Sequence, residues 1–427
     1  MRFYLESYGC SLNAADADMI VSRLRAMGGQ RVPKPDVAEV IIMNTCGVKA
    51  PTEDRIIYRL AEFSHQTRPV IVTGCLPRIS LSRIESTIPS FAALLGPQSI
   101  GSLGTIMQRV LAGERNIVCL SSDKGSKFAY FEGPPDSVIC TIPVCEGCLG
   151  DCAYCAVKLA RGRVKSYPIE EIRRVTERSV HLGYREIRLT AQDLGAFGND
   201  TGESIVKLLA QLDQIEGDHV YRLGMFNPNL ILDTLPELLK VTESEHFFKF
   251  FHVPVQSGSD RVLRLMNRRY SSKDWIDVVA EIRRHFPEST VATDIIVGFP
   301  GESNQDFTET MQLVETAKPD LVNISKYGDR PNTAALNFDD KVRTEVKKQR
   351  SSALSALVQA VTSQSNRQWI GWSGPVLVSE KGSHGGMMGR NQSYRPVIIN
   401  QPCSLGSRVQ VRIGSSSKTH LLAQILP

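Results

Sequence analysis

No run of the 427-residue sequence reaches the roughly 18 uninterrupted apolar residues that a membrane span requires. No long apolar stretch follows Met1-Arg2-Phe3-Tyr4-Leu5-Glu6 either, so a secretory leader is not expected. Cysteine is scarce. Ten in a chain of this length are too few for a disulfide scaffold, and without an export signal the expected setting is a reduced cytoplasm. There, thiols are buried, catalytic or bound to metal. The chain has no internal repeat, and no low-complexity segment beyond Ser415-Ser416-Ser417. Its net charge is small: 50 Lys and Arg against 45 Asp and Glu give +5, which excludes a basic coat-type protein. The excess is local. Residues 366–427 hold seven basic side chains (Arg367, Lys381, Arg390, Arg395, Arg408, Arg412, Lys418) and one acid, Glu380, a net +6; the preceding 365 residues carry −1.

What is present is an ordinary globular composition, 42% apolar and 22% charged, long enough for two to four domains. Up to about residue 125 short apolar runs alternate with amphipathic stretches. Arg2–Tyr8, Val40–Met43 and Pro69–Val72 are predicted strands, and Asn13–Met27 a helix, the pattern of βαβ units around a parallel sheet. Each of these strands ends within three residues of a cysteine: Cys10, Cys46 and Cys75. The C-terminal ends of parallel strands share one edge, where ligands bind, so thiols 36 and 29 residues apart can converge there. Ser121–Asp136, rich in Ser, Gly, Pro and charge, is an expected linker. Six further strands follow at Ser137–Pro143, Glu186–Thr190, Val220–Phe226, Phe248–Val253, Thr290–Val297 and Leu321–Tyr327, with helices such as Ile169–His181 and Trp275–Phe286 between them. Six units fall short of a closed eight-unit barrel, so a partial barrel over residues 135–365 fits better. Leu354, Leu357, Val358 and Val361 mark an amphipathic closing helix. From 366 onward, short β-prone runs separated by Gly, Ser and Asn predict a small β-barrel.

The strongest local signal is Gly147-Cys148-Leu149-Gly150-Asp151-Cys152-Ala153-Tyr154-Cys155. Three soft thiolates on one loop suit zinc or an iron–sulfur cluster. Three ligands on a four-iron cluster leave one iron open to substrate. Cys145 adds a complication, because Cys145/Cys148 and Cys152/Cys155 also form two CxxC pairs that permit a four-thiolate zinc site. Zinc ribbons usually separate such pairs by a dozen residues or more, and here only three intervene. Cys119, Cys140 and Cys403 are isolated and match no motif; buried structural cysteine is the expectation for each. Trp369 and Trp372 either stack on RNA bases or pack the tail domain against the barrel.

The C-x3-C-x-aromatic-C spacing, with Ala160-Arg161-Gly162-Arg163 and Ser166-Tyr167 behind it, resembles the radical S-adenosylmethionine (SAM) enzymes, and within them the methylthiotransferases. The likeness runs the length of the chain. Tyr8-Gly9-Cys10, Asn44-Thr45-Cys46 and Thr73-Gly74-Cys75-Leu76 match the family's N-terminal domain. His252 to Ser259 and Asp294 to Glu302 match its barrel, and Gly389-Arg390-Asn391 with Tyr394-Arg395-Pro396-Val397 matches its RNA-binding TRAM domain. The resemblance implies an α/β protein of three modules: residues 1–125, a parallel-sheet domain; 135–365, a partial (β/α)6 radical SAM barrel; and 366–427, an all-β TRAM barrel. It implies that Cys148, Cys152 and Cys155 hold a [4Fe–4S] cluster that binds SAM and splits it to a 5′-deoxyadenosyl radical. Cys10, Cys46 and Cys75 are implied to hold a second cluster, which carries the sulfur to be inserted. SAM would then serve both as methyl donor and as radical source.

Tyr154, Gln192, Asn227, Gln256, Ser257, Asp294, Gly298 and Pro300 sit where the resemblance implies SAM contacts, although Ser257 or Ser259 could equally cap the helix beginning near Asp260. Arg390, Tyr394 and Arg395 are implied RNA contacts. Glu146 to Gly150, Lys158 and Ala160 to Gly162 look most like the archaeal and eukaryotic branch, which converts N6-threonylcarbamoyladenosine beside the tRNA anticodon to its 2-methylthio derivative. The basic tail agrees with a tRNA partner. The alternatives are a methylthiotransferase acting on isopentenyladenosine in tRNA or on a ribosomal-protein aspartate, and a non-enzymatic iron–sulfur redox sensor that binds tRNA. A soluble cytoplasmic monomer is expected, with no membrane contact, an electron donor such as a ferredoxin or flavodoxin, and an external sulfur source. One departure stands out. Asn332 replaces the glycine of the family's Arg-Pro-Gly-Thr, and Asn tolerates the left-handed backbone that such a turn needs.

Overall fold

The computed structural model describes residues 1–121, 127–131, 133–134, 137–382 and 385–426. Most of the expected linker at 121–136 therefore lies outside the described residues. The chain divides into two compact units. One comprises residues 1–135, 141–175 and 328–336, the other residues 136–140, 176–327 and 337–427.

In the first unit, strands β1 (Arg2–Ser7), β2 (Gln30–Arg31), β3 (Val40–Thr45), β4 (Val70–Gly74), β5 (Ala93–Leu95) and β6 (Ile117–Cys119) form one sheet in the order β2-β1-β3-β4-β5-β6. Every pairing is parallel. Strand β3 is buried at all six positions, which is why its sequence is a continuous apolar run rather than an alternating one. Helix α1 (Ser11–Ala26) starts directly after Cys10, and α2 (Ala50–Ser64) carries a proline in its first turn, where the missing N–H costs nothing. Ile41, Met43, Val70 and Val72 pack with Ile56, Leu60 and Phe63 of α2 in the core on one face of the sheet. The unit also contains the cysteine loop. Cys145–Glu146 pairs with Lys165–Ser166 below it, and the helix Val157–Arg161 leaves it. The segment 328–336 joins this unit through Arg330, which bonds the Gly47 carbonyl (2.6 Å) and the Glu53 carboxylate (2.5 Å). Asn332 has φ +57, so the turn keeps the left-handed geometry.

In the second unit the strands fall in two parallel groups. Val220–Leu223 pairs Glu186–Thr190, which lies beside the start of Ile139–Pro143; Phe250–His252 pairs Thr290–Val297, which pairs Leu321–Lys326. Single bridges at Tyr221–Phe247 and Met225–His252 connect the groups, giving six strands in barrel order. The closing helix is longer than its apolar core suggests, spanning Thr344–Arg367. The tail is a closed five-stranded barrel of Ser373–Lys381, Met387–Arg390, Pro396–Ile399, Arg408–Ser416 and Leu421–Ile425, filled by Val376, Val378, Val397, Ile399, Val411, Ile413 and Leu421. The sequence pattern does not announce Met387–Arg390. Its one buried residue is Gly389, beside the half-buried Met387, and a Cβ at Gly389 would fall 2.5 Å from Val376 and 2.6 Å from the Leu377 carbonyl. Trp369 and Trp372 meet edge to face (5.5 Å) and pack with this barrel's core.

Candidate metal centre

Strands β1, β3 and β4 are neighbours, and Cys10, Cys46 and Cys75 leave their C-terminal ends. All three are thiols. Cys46 and Cys75 are buried and Cys10 is exposed. Burial, then the nearby Cys10, pushes the Cys46 thiol up to about 12, while backbone N–H bonds at Val48 and Cys10 act in the opposite sense. Burial also raises Cys75, against the neighbouring Arg161 guanidinium. Each thiol therefore lies within electrostatic reach of the others, as the shared strand edge predicts. Gly9 makes the approach possible: at φ +117, a Cβ there would stand 2.8 Å from the Cys46 sulfur. Desolvated thiols with one open side are a donor set that a soft metal core would draw to thiolate.

The second triad lies on the loop after Cys145–Glu146. The Gly150 N–H donates to the Cys148 sulfur (3.3 Å), and a Cβ on Gly150 would meet the sulfurs of Cys152 (3.5 Å) and Cys148 (3.6 Å), so both face this glycine. A turn bond from Cys155 N to the Cys152 carbonyl (3.1 Å) brings the third thiol back. Among the described residues, no three His, Cys, Asp or Glu side chains stand as close as one shared metal ion requires. Tetrahedral zinc would hold its sulfurs about 3.8 Å apart. Thiolates that each bind a different iron of a cluster are spaced more widely. Cys145 is fully buried in its two-stranded ladder.

Behind the thiols runs a buried charge network that the sequence reading did not single out. Arg161 is fully buried and bonds Asp16 (2.5 Å), Glu146 (3.1 Å) and the Asn13 side-chain oxygen (2.9 Å). Lys127 bonds the same two carboxylates, at 3.1 and 2.5 Å, and Tyr167 donates to Glu146 (2.7 Å). Burial pushes the Glu146 carboxyl up, but Lys127 and Arg161 outweigh it and hold the group at about 2. Asn13 also donates to the carbonyls of Tyr8 (2.9 Å) and Thr45 (2.8 Å), tying the network to the backbone beside Cys10 and Cys46. A signal was available: Asn13 and Asp16 lie three apart on the face of α1 that carries Leu12 and Ala15, and buried polar residues need partners.

Of the expected SAM-contact residues, Tyr154 lies in the loop, half-buried. The rest belong to the second unit, at or near the strand ends. Gln192 precedes Asp193, whose carboxylate accepts from the backbone N–H groups of Gly195 (3.0 Å) and Asn227 (3.1 Å) and from the Asn227 side chain. Asn227 accepts in turn from Arg268. Gln256 has the left-handed φ of +71 and bridges the strand Thr290–Val297 through backbone bonds to Asp294 (2.8 Å) and Ile296 (2.9 Å). Such a conformation in a non-glycine residue recurs at ligand sites. Asp294 accepts from Asn323 (2.8 Å) and lies 2.9 Å from the His252 ring nitrogen. Ser257 is fully buried and accepts from Ser259 N (3.2 Å) in a local turn, while Ser259, the N-cap of the helix Asp260–Leu265, makes no side-chain cap bond. The Gly298 N–H donates to Glu302 (2.6 Å), and Arg350 clamps the same carboxylate (2.6 Å). A Cβ on Gly298 would meet Lys347 at 2.4 Å, so the close approach that requires glycine is to this chain's own helix; Pro300 is buried beside it.

The three expected RNA contacts are placed differently. Arg395 is buried against Asp320 (2.5 Å), Ser365 (2.9 Å) and Asn366 (3.2 Å). Tyr394, at φ +61, packs its ring on Phe248 and Phe250 (4.8 and 5.1 Å) and donates to Glu186 (2.6 Å). Both side chains are thus largely buried within the second unit. Arg390 is half-buried over the Tyr394 ring and 3.7 Å from Glu380. Exposed cations on the tail are Arg367, Lys381, Arg408, Arg412 and Lys418.

Comparison with known proteins gives this geometry its class. Residues 142–314 match the model of the radical SAM superfamily, residues 374–426 that of the TRAM domain, and residues 2–96 that of the uncharacterized protein family UPF0004. The radical S-adenosylmethionine methyltransferase TsrM from Kitasatospora setae shares the fold at TM-score 0.58 and 10% identity, over 78% of this chain and 77% of that one. The chain is thus a radical SAM protein with a TRAM barrel, a class that implies SAM and a [4Fe–4S] cluster. A protein from Pyrococcus horikoshii named probable threonylcarbamoyladenosine tRNA methylthiotransferase is 36% identical over the full length of both chains. Threonylcarbamoyladenosine tRNA methylthiotransferases from Drosophila melanogaster and Homo sapiens are 34% and 32% identical, covering 100% and 99% of this chain and 78% and 74% of theirs. The chain belongs to this family of tRNA methylthiotransferases and is an enzyme.

Proposed function

We propose that the protein converts N6-threonylcarbamoyladenosine next to the tRNA anticodon to its 2-methylthio derivative, using two [4Fe–4S] clusters. The observation that carries the reading is the convergence of Cys10, Cys46 and Cys75 at one sheet edge, in the same compact unit as Cys148, Cys152 and Cys155. Cys148, Cys152 and Cys155 would hold the SAM-binding cluster, and Cys10, Cys46 and Cys75 the second. When bound, the clusters and SAM supply radical generation, methyl donation and the inserted sulfur. The chain's own residues desolvate Cys46 and Cys75, leave Cys10 open to the incoming sulfur and base, and orient the loops through Asn13 and Arg161. Gln192, Asn227, Gln256, Asp294 and Gly298 would position SAM at the barrel strand ends.

The domain boundaries implied are 1–125, 135–365 and 366–427, with the last module, net +6, binding tRNA phosphates. The partners are tRNA, an electron donor such as a ferredoxin or flavodoxin, and a sulfur source. The setting is the cytoplasm and the state a monomer; among the described residues no helix is long and apolar enough to cross a membrane. Family membership answers the non-enzymatic alternative, and the relatives' names favour threonylcarbamoyladenosine over isopentenyladenosine or a protein aspartate.

Mass spectrometry of tRNA nucleosides tests the substrate. A strain lacking the protein should lose the methylthio form of threonylcarbamoyladenosine, and loss of the isopentenyl derivative alone, or no change, refutes the choice. Iron analysis tests the clusters: about eight irons per reconstituted chain, with about half lost in Cys46→Ala and about half in Cys148→Ala. Zinc in their place, or a single cluster, breaks the model.

A further inference from the structure

Helix Val157–Arg161 begins two residues after Cys155, yet it packs on the other triad. Ala156 and Ala160 form one buried cluster with Cys75 and Ile79. At its end, Arg161 reaches the Asn13 side-chain oxygen (2.9 Å), the same atom that faces the Cys75 sulfur at 3.8 Å. A single amide oxygen thus separates a buried guanidinium from a cluster thiol. The nearby charges are Asp16, Glu146, Lys127 and Arg161, two of each sign, so the network is neutral before anything binds. Three thiolates outweigh the positive charge of a four-iron core, and hydrogen bonds and buried charges near the sulfurs set such a core's potential.

We propose that Arg161 is a positioning and charge-compensating residue for a cluster held by Cys10, Cys46 and Cys75, supplied by the helix that leaves the other cysteine loop. The inference rests on the two-cluster reading above. Arg161 is the cation beside Cys75: its Nη2 bonds both the Asn13 oxygen and Asp16, and its Nη1 bonds Glu146, so its charge offsets the two carboxylates next to the thiols. Without it, the two carboxylates would face an anionic cluster across a low-dielectric interior, which disfavours adding an electron. One side chain then ties the placement of one cysteine loop to the electronics of the other.

The test uses the full chain with Cys148→Ala, Cys152→Ala and Cys155→Ala, so that only the N-terminal cluster remains, titrated by EPR-monitored potentiometry. Arg161→Gln should keep the iron and move the midpoint potential to more negative values, while Arg161→Lys, which retains the charge, should restore most of the shift. Should Arg161→Gln not fold, pairing it with Asp16→Asn keeps the pocket neutral, and the potential should still fall because the arginine is the nearer group. Iron retained at an unmoved potential overturns the inference, as does an equal shift in the Lys and Gln variants. A background that holds no iron at all overturns the two-cluster reading, and the inference with it.

Discussion

Arg161 in the first unit and Arg395 in the second share most of their description. Each is buried, at 0% and 5% exposure, and each bonds a buried carboxylate at 2.5 Å, Asp16 and Asp320 respectively. Each also bonds an asparagine side-chain oxygen, Asn13 and Asn366. Their remaining neighbours differ. Arg161 stands beside Cys75, whereas Arg395 has Ser365 and the ring of Trp369, 5.8 Å from its guanidinium. In the sequence, Arg395 is one of three expected RNA contacts, with Arg390 and Tyr394, and Arg161 is part of a family motif. Burial and neighbours, not charge and position in the chain, separate a structural arginine from one poised near a site.

The largest effect that sharpens this contrast is on Arg395. Reversing it to Glu would set a second carboxylate against Asp320 in a buried pocket. The expected cost is about 3–5 kcal/mol, the range for breaking a buried pair. A fall in melting temperature should therefore accompany any loss of tRNA binding, with both restored together by Asp320→Lys on the reversed background. Normal stability with selectively weakened tRNA binding would show that Arg395 reaches RNA after all, and the comparison would fail.

A smaller effect probes the carboxylate side. Asp16 is clamped by Arg161 and Lys127, but Asp18, two residues on, has only the field of Arg31 against it. Burial dominates and pushes the Asp18 carboxyl from about 3.8 up to about 7. A carboxylate raised in the folded state binds protons more tightly there than in the unfolded chain. Its stability contribution is thus complete below about pH 4 and is lost as pH rises toward 7. Asp18→Asn should stabilise the protein by about 2 kcal/mol at pH 8, after discounting for partial exposure, with the gain shrinking toward pH 5. Melting curves of the two proteins at both pH values decide it, and a gain independent of pH would mean that Asp18 is not a buried ionised group.

What could be read without the structure follows from how local each cause is. Val40–Met43 announces itself because a strand covered on both faces is apolar at every position, and its neighbours Asn44, Thr45 and Cys46 then follow at the sheet edge. The six barrel strands and the helix Ile169–His181 are equally local signals, and the cysteine loop is legible because its three cysteines lie within eight residues. Arg161 bonds Asp16 across 145 positions, and Tyr394 bonds Glu186 across 208; no periodicity carries such pairings. Met387–Arg390 carries a weak signal because its one buried position is a glycine, which permits close backbone approach rather than adding apolar character. The left-handed backbone at Gln256 has no signature at all in a glutamine.

The smallest expected effect on stability is the most informative about RNA. Arg412 lies on the outer face of the tail barrel, between Ser373 and Gln424 on adjacent strands, with Val411 and Ile413 turned inward on either side. It is exposed and has no ion-pair partner among the described residues, whereas Arg408 is held by Asp218 at 2.6 Å. A cation that the fold does not use is available to a phosphate, and its reversal should cost less than about 0.5 kcal/mol of stability. Arg412→Glu should therefore leave the melting temperature in place, weaken tRNA binding, and lower the slope of log affinity against log salt by about one contact. Since Arg412 and Arg395 carry the same charge 17 positions apart, opposite outcomes in the pair (affinity lost without stability at one, stability lost with it at the other) would place the RNA face on the outside of the barrel. Affinity and salt slope both unchanged in Arg412→Glu would move that face elsewhere in the chain.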